Sequence, residues 1–298
     1  MIDANKIISH VCTYDLATGQ QKVVFSAPKI YEAPNWSRCG KFLIINHEGR
    51  LFKLTLGEAE LTAIDTGFAT KCNNDHGISP DGTQLVISHK CEHHGNLSTI
   101  YTLPIEGGEP TLVTENSPSY WHGWSPDGKS LAYVARRHEP DLKIYAIDID
   151  GKNERALTSG PGLDDGPEYS PCGQYIYYNS FASGRMQLWQ MTAHGRDHQQ
   201  IVESYHSDWF AHPAPNGKDC VFIRYLKDQG QAHPFGQDVQ LMYLNLKTRE
   251  TKPLTEVFYG GQGSLNVPSW SPDGSEFAFV RYELSLIHIS EPTRRHLI

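Results

Sequence analysis

An all-β propeller of six four-stranded antiparallel blades is the fold this sequence predicts, on three observations. A five-residue segment recurs six times, an apolar alternating run follows each copy, and no stretch of useful length carries a helical period. The copies are Trp36-Ser-Arg-Cys-Gly40, Ile78-Ser-Pro-Asp-Gly82, Trp124-Ser-Pro-Asp-Gly128, Tyr169-Ser-Pro-Cys-Gly173, Pro213-Ala-Pro-Asn-Gly217 and Trp270-Ser-Pro-Asp-Gly274. Their first residues lie 42, 46, 45, 44 and 57 positions apart. Self-similarity at this period marks a fold whose units bury their apolar faces by stacking on one another.

Each element follows from local chemistry. Pro fixes φ, Asp or Asn accepts backbone N–H groups across the bend, and Gly supplies a positive φ. A turn of this kind between two alternating apolar runs is a hairpin, giving strands A and B. In the third unit a second pair follows at 143–149 and 154–159, around a Gly-containing turn, giving strands C and D. In chain order, residues 8–26 form a C-D pair with no A-B pair before it. Complete units follow, with C-D pairs at 51–63, 97–113, 143–158, 187–202 and 238–253. Residues 267–282 form an A-B pair with no C-D pair behind it. The two halves make a sixth blade, which closes the ring and removes the exposed sheet edges. The predicted domain is a single propeller over 8–283. Residues 284–298 resemble an in-frame translation of a sequencing adapter and are set aside.

Composition narrows the function. The 26 Gly and 18 Pro suit many short strands. A formal net charge of −8 argues against nucleic-acid or anionic-membrane partners. No apolar run is long enough for a transmembrane helix. Met1-Ile-Asp-Ala-Asn-Lys6 is not a basic segment leading into an apolar one, so a cytoplasmic location is expected. Six cysteines without a Cys-x-x-Cys pair read as reduced thiols, Cys39 and Cys172 standing in the Asp slot of the turn. Nucleophile elbow, phosphate loop and dinucleotide fingerprint are all missing from the sequence.

Connectivity sorts the loops onto two faces. The A-B and C-D turns on one face are short and generic; the D-A and B-C loops on the other are long. Ten of the 13 histidines before residue 284 fall on that second face: His47, His76, His89, His93, His94, His122, His138, His206, His212 and His233. Strand A is innermost, so residues two to four before each turn surround the channel mouth. Imidazoles converging there from different blades make His76, His122 and His212, with Gln262, a candidate set for a divalent cation (Mn, Zn, Fe or Ca). His122, Asp165, Glu168 and Asp75 are the candidates for acid–base catalysis. Glu32, Tyr120, Trp121, Asp164, Asp208, Trp209, Asn266 and His233 are the candidates for ligand binding, because flat rings beside carboxylates suit sugar CH faces and hydroxyls. Trp36, Trp124 and Trp270, inside the repeat, are expected to pack between blades. His89-Lys-Cys-Glu-His-His94 reads as a solvated loop.

At the Trp-Ser-Pro-Asp-Gly repeats the chain resembles the TolB-like propellers built from WD40-like PD40 repeats, over essentially all of 8–283. That resemblance implies the propeller fold and protein partners. The ring of histidines with Gln262 is similar in type to the site of oligogalacturonate lyase propellers, which implies a divalent metal and β-elimination of uronate oligosaccharides. The leading expectation is a site at the channel mouth acting on a carbohydrate or uronate-like small molecule, by lyase or hydrolase chemistry. The alternative is a non-catalytic propeller that binds a protein or peptide across the same face.

Overall fold

The computed structural model describes residues 6–58 and 60–284; of the adapter-like segment only Leu284 lies within the described residues. Six antiparallel sheets succeed one another around a ring. Blades 1 to 5 each use four consecutive strands, with strand A at Glu32–Trp36, Cys72–Ile78, Ser119–Trp124, Asp164–Tyr169 and Ser207–Pro213. Closure follows the predicted route. Ile7–Asp15 pairs along its whole length with Glu276–Leu284, from Ile7↔Leu284 to Asp15↔Glu276, and Gln21–Ala27 covers its other edge. Strand A of this sixth blade is reduced to a Trp270–Phe277 bridge and a 2.9 Å bond from the Ala278 N–H to the Ser269 carbonyl. Blade 5 gains an outlying strand, Phe258–Gly260, against Gln237–Asn245.

The repeated turn is held by its own side chains. Ser125 Oγ donates to Asp127 Oδ1 at 2.6 Å, Asp127 Oδ1 accepts from the Lys129 N–H at 3.1 Å, and Ser125 Oγ accepts from the Ser130 N–H at 2.9 Å. The same three bonds recur at Ser79/Asp81 and Ser271/Asp273. The serine hydroxyl, then the backbone N–H, hold Asp81 and Asp127 below the usual carboxylate range and Asp273 at about 2. Gly128 closes the bend with φ of 69°, a region Gly enters without strain.

Packing is organised by blade interface. Six clusters of buried side chains join neighbouring blades, and one of them, uniting Val11, Val280 and Tyr282 with Trp36, Leu43 and Ile45, seals the ring. Each fully buried Leu, Ile or Phe contributes about 1.5–3 kcal/mol, so the interfaces rather than the turns carry the stability. Trp36, Trp124 and Trp270 are buried in these interfaces as expected. All six cysteines are free.

One feature differs from the sequence reading and positions the site. The stretches 72–77 and 207–212, which lead into the repeated turns, belong to strand A itself and not to the long D-A loops expected on that face. Their Asn, Asp, Gly and Pro content disguised a strand. In every complete blade its register with strand B slips at the same place: between Glu32 and Asn35, Cys72 and His76, Trp121 and Gly123, Asp165 and Glu168, and Trp209 and His212. Such a bulge takes residues out of the ladder and re-aims them. Ala33, Gly166 and Phe210 sit at the slips with φ of 57°, 57° and 55°.

Candidate functional site

Asp165, at the blade 4 bulge, is the hub of the channel mouth. Its Oδ1 lies 3.1 Å from His122 Nε2 and accepts from the Gly166 N–H at 2.7 Å; its Oδ2 lies 3.4 Å from His233 Nε2. His122 comes from strand A of blade 3 and His233 from the long B-C loop of blade 5. The His122 ring stacks on Phe210 at 6.1 Å between centroids, while His233 stands edge-on to Trp209 at 4.5 Å and Phe210 at 5.4 Å. Asp75, at the blade 2 bulge, accepts from Asn73 Nδ2 at 2.5 Å and Asn266 Nδ2 at 3.2 Å. The segment after blade 5 folds across the mouth: Gln262 donates to Asn74 Oδ1 at 3.4 Å, and Gly263 packs so closely on the Glu32 carboxyl that a Cβ there would overlap Oε1.

Burial and neighbouring charge split the proton affinities of these groups. Burial would raise the Asp165 pKa, but the His122 and His233 bonds and charges outweigh it and hold Asp165 well below the carboxylate range. Burial would lower His122; its bond to Asp165 and the charges of Asp75, Asp165 and Glu168 reverse this and raise it. Glu32 is pushed up to about 7 by burial and then by Asp75. Asp75 is raised by burial, with Asp165 adding and His122 opposing. Tyr120 is raised by burial and by Asp75. One mouth therefore holds an ionised carboxylate, a cation-prone imidazole and two carboxyls that keep their protons unusually long.

The other expected residues have different partners. Asp164 is bound by the buried Lys143 Nζ at 2.9 Å. Asp208 is gripped by Arg224 at 2.7 and 2.8 Å and by Ser204 Oγ at 2.8 Å. Trp121 is buried with its ring against Gly77. Glu168 receives His212 Nδ1 at 2.5 Å, and both lie deeper along the channel, one residue before their turns. His76 is fully buried, with Nε2 3.3 Å from the Ile44 carbonyl and Nδ1 without a partner, and burial pushes its pKa down to about 4. The four expected metal donors are thus spent separately: His76 on Ile44, His122 on Asp165, His212 on Glu168 and Gln262 on Asn74. Among the described residues no three His, Cys, Asp or Glu side chains are grouped to hold a metal ion, so this donor set does not fit one.

Two contributors stand outside the candidate sets, Asn73 not singled out at all and Phe210 expected only as a flat ring at the mouth. Asn73 holds Asp75, and Phe210 supports both His122 and His233. Phe210 carried a legible signal, standing in the same slot as Gly166, three residues before its turn. No helix among the described residues is long and apolar enough to cross a membrane.

Comparison with known proteins places this geometry in context. The family model of the TolB β-propeller domain (PD40) matches residues 120–281. An uncharacterized protein of Agrobacterium fabrum is 47% identical over 275 residues, 92% of each chain. A solved propeller from Agrobacterium tumefaciens, proposed to be a TolB, superposes with a TM-score of 0.89 at 46% identity, covering 93% of this chain and 99% of that one. An oligogalacturonate lyase in complex with manganese reaches a TM-score of 0.54 at 13% identity, over 92% of this chain and 85% of that one, a likeness of fold alone.

Proposed function

This chain belongs to the TolB β-propeller family, and on that premise we propose that its channel mouth is a metal-independent acid–base site hydrolysing a neutral oligosaccharide. The observation that carries this reading is the split between Asp165, held ionised by two histidines, and Glu32, titrating at about 7 in the same mouth. Carboxyls driven apart by their surroundings are the mark of assigned acid and base roles. Asp165 positions His122 and keeps it charged, so His122 gives its proton to the leaving oxygen as the glycosidic C–O bond breaks. Glu32 takes a proton from the attacking water, whose oxygen forms the new bond; a base titrating near the working pH suits that task. Asp75, Asn266 and Tyr120 supply hydrogen bonds for hydroxyls. Glu32, Asp75 and Asp165 together disfavour a uronate, so neutral sugars are the better substrates.

Release of reducing ends from neutral and uronate oligosaccharides tests the reading. His122→Ala should lower kcat by about 10²–10⁴ while the fold persists. Activity should rise with pH through about 7 as Glu32 ionises, and Glu32→Gln should abolish that limb. Chelation should change nothing. Wild-type turnover in His122→Ala would sink the assignment.

A second reading, a protein or peptide docked on this face, is favoured by the burial of Asp75, His122, Asp165 and Asn266, all below 10% exposed. It predicts no turnover, and partner binding retained in His122→Ala.

A further inference from the structure

The opposite end of the channel is built from the A-B turns. Pro80 packs on Gly128, Pro126 on Gly173, Pro215 on Gly274 and Pro272 on Gly40, so at four of the six junctions a proline ring meets a turn glycine, while Gly217 has no such neighbour. Blade 1 breaks the pattern. Arg38 stands in the proline slot, its Cβ against Gly82.

These turns enclose a cavity of about 250 Å³ whose lining includes Trp36, Trp124, Tyr169, Trp270, Arg38 and Glu168. The walls are aromatic rings and prolines; the polar groups are few and unevenly satisfied. Glu168 is engaged by His212 Nδ1 at 2.5 Å. Arg38 Nε donates to the Ser79 carbonyl at 3.3 Å, and among the described residues its two Nη groups make no hydrogen bond or ion pair. Trp124 Nε1 is buried without an acceptor. The unspent groups are therefore donors, while the one carboxylate already has its partner. A planar guanidinium with both Nη amino groups free matches a carboxylate in bidentate fashion, and flat apolar walls match a flat apolar body.

We propose that this cup is a second ligand site, separate from the mouth, for a small molecule carrying a carboxylate on a flat apolar body, with Arg38 as the anion anchor. Arg38 lines the cup while remaining exposed to solvent, so a ligand can reach its guanidinium; partial desolvation lowers its pKa and Glu168 opposes the shift. The site does not depend on any chemistry at the mouth, so either can fail without the other.

Phenylacetate, phenylacetamide and phenethylamine test this, read by the fluorescence of the cup tryptophans and by calorimetry on the full chain. Phenylacetate should give a saturable response at millimolar concentrations or below, and the uncharged amide should bind about tenfold or more weakly. Arg38→Pro restores the repeat and so keeps the fold; it should erase the difference between acid and amide. His122→Ala should leave phenylacetate binding as it is. Absence of a saturable signal, equal binding of acid and amide, unchanged discrimination in Arg38→Pro, or preference for the amine would each overturn the proposal.

Discussion

The two ends of the channel are made by the same six repeats, and they acquire their chemistry in opposite ways. At the mouth, strand A is bulged in every complete blade and its residues differ from blade to blade: three positions before the turn stand Ala33, Asp75, Trp121, Gly166 and Phe210, no two alike. At the turn end, five of the six turns carry proline in the same slot, and polarity enters through Arg38 together with Glu168 and His212. The mouth is built by divergence at a tolerant bulge, the cup by one exception in a strict motif. Chemistry in a repeat protein is thus to be sought where the repeat is broken, on either face.

The most disruptive way to sharpen this contrast lies beside the mouth, at Asp208. Its bidentate pair with Arg224 is wholly buried at the carboxylate, and removing one partner leaves the other charge unpaired. Asp208→Asn should cost about 3–5 kcal/mol in urea unfolding. If stability held while ligand binding fell, Asp208 would belong to the mouth after all.

The next effect tests whether His76 is a site residue or part of the wall. Its folded pKa is depressed from 6.5 to about 4 by burial. A depressed histidine contributes stability that is complete above the unfolded value and is lost as pH falls toward the folded one. Stability should therefore decline by roughly 3 kcal/mol between pH 6.5 and 4, and His76→Gln should flatten that part of the curve. Glu32 acts in the other sense: its raised pKa favours the protonated fold, so its contribution is present below 4.5 and lost as pH rises through about 7. A His76→Gln curve as steep as wild type would show that His76 charges freely in the fold.

The sequence carried the architecture because turn and core chemistry are local. Ser125, Asp127 and Gly128 bond to one another and to the next strand, so the motif alone specifies the hairpin. Ring closure was legible from the unpaired strand pairs at the two ends. The site was only half legible. His122, Asp165 and His233 were all on the expected face, but pairing residues more than 40 positions apart depends on bulge geometry that no local pattern encodes. Asp164 and Asp165 are neighbours of one type; alternation sends one to Lys143 and the other to the two histidines. Arg38 was visible as a departure from the motif, and it lay on the face whose turns looked generic.

The smallest effect is the one that discriminates most finely between the two ends. In Arg38→Pro the slot receives the residue it has in the other five blades, and Gly82 already offers Arg38 Cβ the kind of contact that Gly274 offers Pro215. Pro at a compatible φ gains about 0.4–1 kcal/mol by restricting the unfolded chain. Against this stands the 3.3 Å bond from Arg38 Nε to Ser79, a long one with a net contribution of about 0.5–1.5 kcal/mol. The two nearly cancel, so unfolding free energy should move by less than about 1 kcal/mol. A loss well above that would mean that Arg38 is a structural brace between blades 1 and 2, and its departure from the motif would then need no ligand to account for it. Near-neutral stability would leave the guanidinium without a structural task, which is the condition a binding group has to meet.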